Sequence, residues 1–215
     1  MQEIHLKTDT ATPQCELDVK NPTAYNGIVN FFFELGMLNK TLRSGFQFLG
    51  SGRQSVADHS FRVAMIGYSM SHLVRSSDPF RVVCLCLFHD IPEARTGDLN
   101  YVNKQYVSAN EEHAVSDLAR TLPFGSHLQA VLEEYRKAET LEAQLAHDAD
   151  QLDLILELKE QNDLGNSYAQ QWIHFALKRL RTDIGKRLAD EILTTDSSSW
   201  WFDGHDHWWR PGHEE

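Results

Sequence analysis

The sequence predicts an all-α fold. Apolar residues recur at helical spacing through most of the chain. Two dipeptides, Asn21-Pro22 and Asp78-Pro79, read as a helix cap followed by a first-turn proline, and no stretch alternates like a convincing strand.

Taken in order, residues 1–20 read as an irregular lead-in. A helix follows from Asn21-Pro22, with Ile28, Val29, Phe31, Phe32, Leu35 and Leu38 on one stripe. Residues 39–54 carry Gly45, Gly50 and Gly52 with Arg43 and Arg53, and read as a loop or short irregular element. Helical character resumes near Val56 and runs to about Val74, with Phe61, Met65, Tyr68 and Leu73 lining one side. Asp78-Pro79 opens a buried helix over the apolar run 82–88, and Pro92 stops or distorts it just beyond His89-Asp90. After a polar loop over about 94–107, helices are expected over 108–121, 126–137, 140–162, 167–181 and 183–194. The chain therefore divides into the lead-in 1–20, a helical domain 21–194 and a tail 195–215. The tail holds Trp200, Trp201, Trp208 and Trp209, rings expected to pack on the domain or on a partner subunit.

The whole-chain numbers narrow the function. At 215 residues the chain suits one domain with a tail, and 41% hydrophobic with 24% charged residues is ordinary for a folded soluble protein. A net charge of −11 argues against a nucleic-acid polymer as partner, which needs a basic face. A small phosphorylated substrate stays compatible, because a bound cation supplies positive charge locally. Cys15, Cys84 and Cys86 show no disulfide spacing and read as thiols in a reducing compartment. The polar first ten residues do not resemble a signal peptide, and no apolar run approaches the roughly 18 residues of a membrane span. A cytoplasmic protein with no membrane partner is expected.

The chemistry sits in a small set of residues: His59 in Ala57-Asp58-His59-Ser60, the pair His89-Asp90, and Asp150 in Asp148-Ala149-Asp150. Imidazole with carboxylate is a ligand set for first-row divalent metals, and two His with two Asp leave coordination positions open. A His-Asp pair alone is weak, since the chain has three, at 89–90, 147–148 and 205–206. The first is singled out by the apolar helix before it and the proline after it. His147-Asp148 competes with Asp150, but these positions point in different directions on a helix. His205, His207 and His213 are a further, weaker set in the tail.

The order H…HD…D, carried by Ser55-Val56-Ala57-Asp58-His59-Ser60, His89-Asp90-Ile91-Pro92-Glu93-Ala94-Arg95-Thr96-Gly97-Asp98 and Ala149-Asp150-Gln151-Leu152-Asp153, resembles the HD-domain phosphohydrolase superfamily over about residues 25–165. The branch it is most similar to is that of the 5'-deoxynucleotidases. The resemblance implies a compact helical bundle with a metal site between central helices, and His59, His89, Asp90 and Asp150 as ligands of one divalent ion, with Mn, Co, Fe, Mg or Zn as candidates. It implies Glu93 as the residue that orients or deprotonates the attacking water, Arg43 as the phosphate grip and Asp98 as a contact near the sugar. Phe46 stands where the family often has a tryptophan pressing on the sugar, which implies looser exclusion of a 2'-hydroxyl. His113 stands where close relatives carry an acidic residue, so one metal per site is implied. The expected activity is release of phosphate from a (deoxy)nucleoside 5'-monophosphate by a homodimer. A phosphodiesterase, a hydrolase of another phosphorylated metabolite, or a non-catalytic metal-binding module are the alternatives.

Overall fold

The computed structural model describes residues 22–202. The expected lead-in and its Asn21 cap, Cys15, and the tail's Trp208, Trp209, His205, His207 and His213 lie outside the described residues. Ten α-helices follow one another: α1 (Pro22–Leu35), α2 (Phe46–Leu49), α3 (Val56–Leu73), α4 (Pro79–Phe88), α5 (Glu93–Thr96), α6 (Glu111–Ala119), α7 (Gly125–Lys137), α8 (Leu141–Asp163), α9 (Ser167–Leu177) and α10 (Asp183–Thr194). Among the described residues no strand forms, and the only sheet-like pairing is an isolated antiparallel bridge between Leu42 and Ser55.

The helix starts follow local chemistry. Ser55 caps α3 in a reciprocal box with Asp58, and the Asp78 carboxylate accepts from Phe80 and Arg81 ahead of Pro79 in α4. Asn110, Thr140, Asn166 and Thr182 cap α6, α8, α9 and α10 through their side chains. The loop expected over 39–54 contains the short α2. The expected polar loop after His89-Asp90 opens with the single turn α5.

Helix α8 is the hub, packed against α3, α4, α7, α9 and α10. It is therefore buried on several faces, with Ala143, Leu145, Ala149, Leu152, Ile155 and Leu158 in the core. Helices α3 and α4 cross closely beside it. A Cβ at Gly67 would meet Cys86 Sγ at 2.6 Å and Val82 Cγ1 at 3.0 Å, so only glycine permits this approach.

Phe61, Met65, Tyr68 and Leu73 of α3 do share a side, but they are 67%, 50%, 46% and 61% exposed. The buried side is His59, Ser60, Val63, Ala64, Gly67, Met70 and Ser71. Small residues are needed there because α4 and α8 both approach closely. In the described part of the tail, Trp200 is 85% exposed, and Trp201, 47% exposed, lies against Phe202 with 5.7 Å between ring centres.

Candidate metal centre

Three helices bring the expected ligands to one place. His59 lies in the second turn of α3, fully buried; His89 ends α4; Asp150 lies in the middle of α8. One ligand atom from each of His59, His89 and Asp150 lies within 4.8 Å of the others. His59 Nε2 stands 3.2 Å from Asp150 Oδ1 and 3.6 Å from Asp90 Oδ2, and His89 Nε2 stands 3.2 Å from Asp90 Oδ2. Asp90 thus sits at the edge of the cluster.

The unpaired atoms decide what this cluster can do. His59 Nε2, His89 Nε2 and Glu93 Oε2 are buried and make no hydrogen bond. A buried polar atom without a hydrogen bond costs about 1–3 kcal/mol, so three of them among these neighbouring residues call for a ligand. The other ring nitrogens are occupied: His89 Nδ1 lies 2.7 Å from the Cys86 carbonyl oxygen and His59 Nδ1 lies 2.6 Å from Asp153 Oδ2. Those acceptors hold a proton on each Nδ1 and turn the two Nε2 atoms toward the cluster, where a cation would displace any proton they carry. The donor set fits a divalent cation.

Electrostatics agree with geometry. Burial opposes its charge, yet the Asp90 carboxyl is held down at about 2 by His89 and then Arg43. Asp150 is likewise pushed well below the carboxylate range by His59, His89 and Arg43, against its burial. Glu93 moves the other way: burial, then the charges of Asp90 and Asp98, raise it to about 9.

Arg43 closes one side. Its Nη1 donates to Asp90 Oδ2 at 3.1 Å and lies 3.4 Å from Asp98 Oδ1, and its Nη2 lies 4.0 Å from Asp150 Oδ1. Asp98 is delivered by Gly97, whose φ of +73° with ψ of 159° is a region open to glycine alone. Ser44 then fixes Asp98 through its backbone N–H, 2.5 Å from Oδ2, and its hydroxyl, 2.7 Å from the same oxygen.

These groups open into a cavity of about 470 Å³. Arg43, Phe46, His89, Asp90, Glu93, Asp98 and Asp150 all line it, whereas His59 lies behind its wall. The far end is apolar, with Phe46, Leu154, Leu158 and Trp172. Sequence reasoning did not single out Trp172, Tyr135, Gln151 or Arg179. Gln151 donates to Asp150 Oδ2 at 2.9 Å and accepts from Arg179 at 3.3 Å, and the Arg179 guanidinium lies 4.8 Å from the Tyr101 ring centre. Trp172, Tyr135 and Arg179 come from segments far apart in sequence with no local pattern to flag them, and Gln151 stands inside the Asp150 motif with nothing in its residue type to mark it.

The rivals have their polar atoms occupied otherwise, although His147 lines the same cavity. Both oxygens of fully buried Asp148 are taken by α10: Oδ1 accepts from the Arg181 N–H at 2.8 Å, Oδ2 from the Thr182 N–H at 2.8 Å and hydroxyl at 2.6 Å. His147 stacks on Tyr135 and its Nε2 lies 2.8 Å from the Tyr135 carbonyl oxygen. His113 is an exposed side chain paired with Asp117.

Comparison with known proteins fits this centre. A family model described as HD domain matches residues 35–192. The chain is 28% identical over 144 residues to a 5'-deoxynucleotidase of Dictyostelium discoideum, covering 61% of this chain and 76% of that one. It is 29% identical over 153 residues to a 5'-deoxynucleotidase of Pasteurella multocida, covering 65% and 76%. A solved structure of a conserved hypothetical protein from Pyrococcus furiosus superposes with a TM-score of 0.65 at 28% identity, covering 76% of this chain and 98% of that one.

Proposed function

The chain belongs to the HD-domain family of metal-dependent phosphohydrolases, and from that premise we propose that it releases phosphate from (deoxy)nucleoside 5'-monophosphates. The observation that carries the reading is the pair of buried, partnerless Nε2 atoms of His59 and His89 facing Asp150 and Asp90, with Arg43 beside them.

In this reading His59, His89, Asp90 and Asp150 hold one divalent ion, drawn from Mn, Co, Fe, Mg or Zn. When bound, such an ion would supply Lewis-acid polarisation of the phosphoryl group and lower the pKa of the attacking water. Arg43 offers its planar guanidinium to the phosphate oxygens from the side of the cluster that faces Asp98. Glu93 Oε2, buried and without a hydrogen bond beside the cluster, is placed to take the proton that the attacking water loses, once a bound cation offsets the burial and the neighbouring carboxylates that hold the carboxyl protonated. The phosphorus–oxygen bond to the nucleoside breaks as the bond from water forms, giving nucleoside and phosphate. Asp98 Oδ1 contacts the sugar. Phe46 and Trp172 give a stacking wall of the kind a nucleobase prefers.

The same reading extends to the assembly and the chain's layout. The exposed stripe Phe61, Met65, Tyr68 and Leu73 suits a homodimer contact. The free thiols of Cys84 and Cys86 suit a cytoplasmic enzyme. Helices running from Pro22 to Thr194 support 21–194 as the catalytic unit, with 1–20 and 195–215 appended.

The test is phosphate release from a panel of ribo- and deoxynucleoside 5'-monophosphates, cyclic nucleotides and other phosphate monoesters, with Mn²⁺, Co²⁺, Mg²⁺, Fe²⁺ or Zn²⁺ and with chelator. Turnover of 5'-monophosphates that chelator abolishes is expected. Turnover of cyclic nucleotides alone would move the protein to the phosphodiesterases. No turnover with any ion would leave it a binding module.

A further inference from the structure

We propose that Asp153 is a positioning residue of the metal centre, locking His59 in the tautomer that coordinates and tying it to the segment that carries Arg43. The inference rests on the metal-dependent reading above and adds a residue which that reading does not need.

The two imidazoles are oriented in different ways. His89 Nδ1 is met by the carbonyl oxygen of Cys86, three residues back on its own helix, at 2.7 Å. His59 has no such local acceptor. Its Nδ1 is met at 2.6 Å by Asp153, a residue 94 positions away on α8, and both side chains are fully buried. An ionised carboxylate only accepts, so Nδ1 carries a proton toward Asp153, and Nε2, 3.2 Å from Asp150 Oδ1, is the ring nitrogen turned to the cluster.

Asp153 is itself held from two sides. Arg62 donates from Nε to Oδ1, and the same guanidinium is pinned by Glu157 and Glu160. That pairing keeps a fully buried carboxylate charged. Gln54 donates from Nε2 to Oδ2 at 3.0 Å, while its backbone carbonyl accepts from the Arg43 N–H at 2.9 Å. A single carboxylate thus connects a ligand on α3 with the segment bearing Arg43. Its place on α8 explains the spacing Asp150-x-x-Asp153: residues three apart share a helix face, one to the cluster and one to the ligand beside it.

The experiment uses the full chain and Asp153→Asn. Mn²⁺ affinity is measured by calorimetric titration, the metal-free melting temperature serves as the fold control, and the His59 tautomer is read by long-range ¹H–¹⁵N spectra. The unaltered chain loaded with Zn²⁺ should show the His59 proton on Nδ1, with Nε2 taken by the ion. Asp153→Asn should weaken Mn²⁺ binding by about 10- to 100-fold, in the range of lost outer partners of metal-bound histidine, and excess Mn²⁺ should restore part of any activity. A purely structural role would lower the melting temperature and leave the affinity of the folded protein unchanged. Affinity within about twofold of the unaltered chain overturns the inference, as does a His59 that in the Zn²⁺-loaded unaltered chain binds through Nδ1 and carries its proton on Nε2, which can be read even where the variant does not fold. Binding that depends on Asp153 without turnover of any nucleotide overturns the substrate reading and leaves this one standing. Failure of the unaltered chain to bind any divalent ion overturns both.

Discussion

Asp148 and Asp150 lie two residues apart on α8, roughly 200° around the helix, and they solve opposite problems. Asp148 has both oxygens filled by N–H and O–H groups of residues 181 and 182, so it clamps the start of α10 onto α8. Asp150 receives one hydrogen bond, from Gln151, and turns its other oxygen toward a partnerless imidazole nitrogen and an arginine. Asp148 is fully buried and the Asp150 side chain 18% exposed, a difference too small to explain their roles. Saturation separates them: a carboxylate filled by its own chain is a clamp, and one left facing unpaired ring nitrogens is available to a ligand.

Breaking each carboxylate should therefore give opposite phenotypes. The largest effect is expected from Asp150→Ala. Losing an electrophile worth several kcal/mol lowers turnover by about 10³-fold or more, while the metal-free protein melts close to the unaltered one. Phosphate release and melting scans check both halves. Asp148→Ala should do the reverse. Three donors lose their acceptor inside the core, and about 3 kcal/mol of stability goes with them, or about 6–12 °C in melting temperature. Metal affinity of the folded fraction stays the same, as titration below the melting transition would show. The smallest effect lies at the apolar end of the cavity. Trp172→Ala should raise KM for a nucleoside monophosphate about 10-fold and leave kcat little changed, the size of one lost base-stacking contact.

The comparison also marks what a sequence can convey. His59, His89, Asp90, Asp150 and Glu93 were legible because their order and spacing form a pattern along the chain. So were the caps at Ser55-x-x-Asp58 and Asp78-Pro79, which are local chemistry. The solvent face of α3 was not: spacing reveals a stripe at Phe61, Met65, Tyr68 and Leu73, but not that α4 and α8 take the side with Gly67. The attachment of His59 to Asp153 and of Arg62 to Asp153 spans 94 and 91 residues, a relation that exists only once α3 packs on α8. Trp172 enters the cavity wall from α9, outside every motif.

The claim that His59, His89 and Asp150 converge to hold a divalent ion is tested most directly by anomalous diffraction from crystals grown with Mn²⁺. The expected result is a single anomalous peak bonded to His59 Nε2, His89 Nε2 and Asp150, with Asp90 completing the protein ligands. A peak at Asp148, or no peak between the two imidazoles at saturating Mn²⁺, would contradict it.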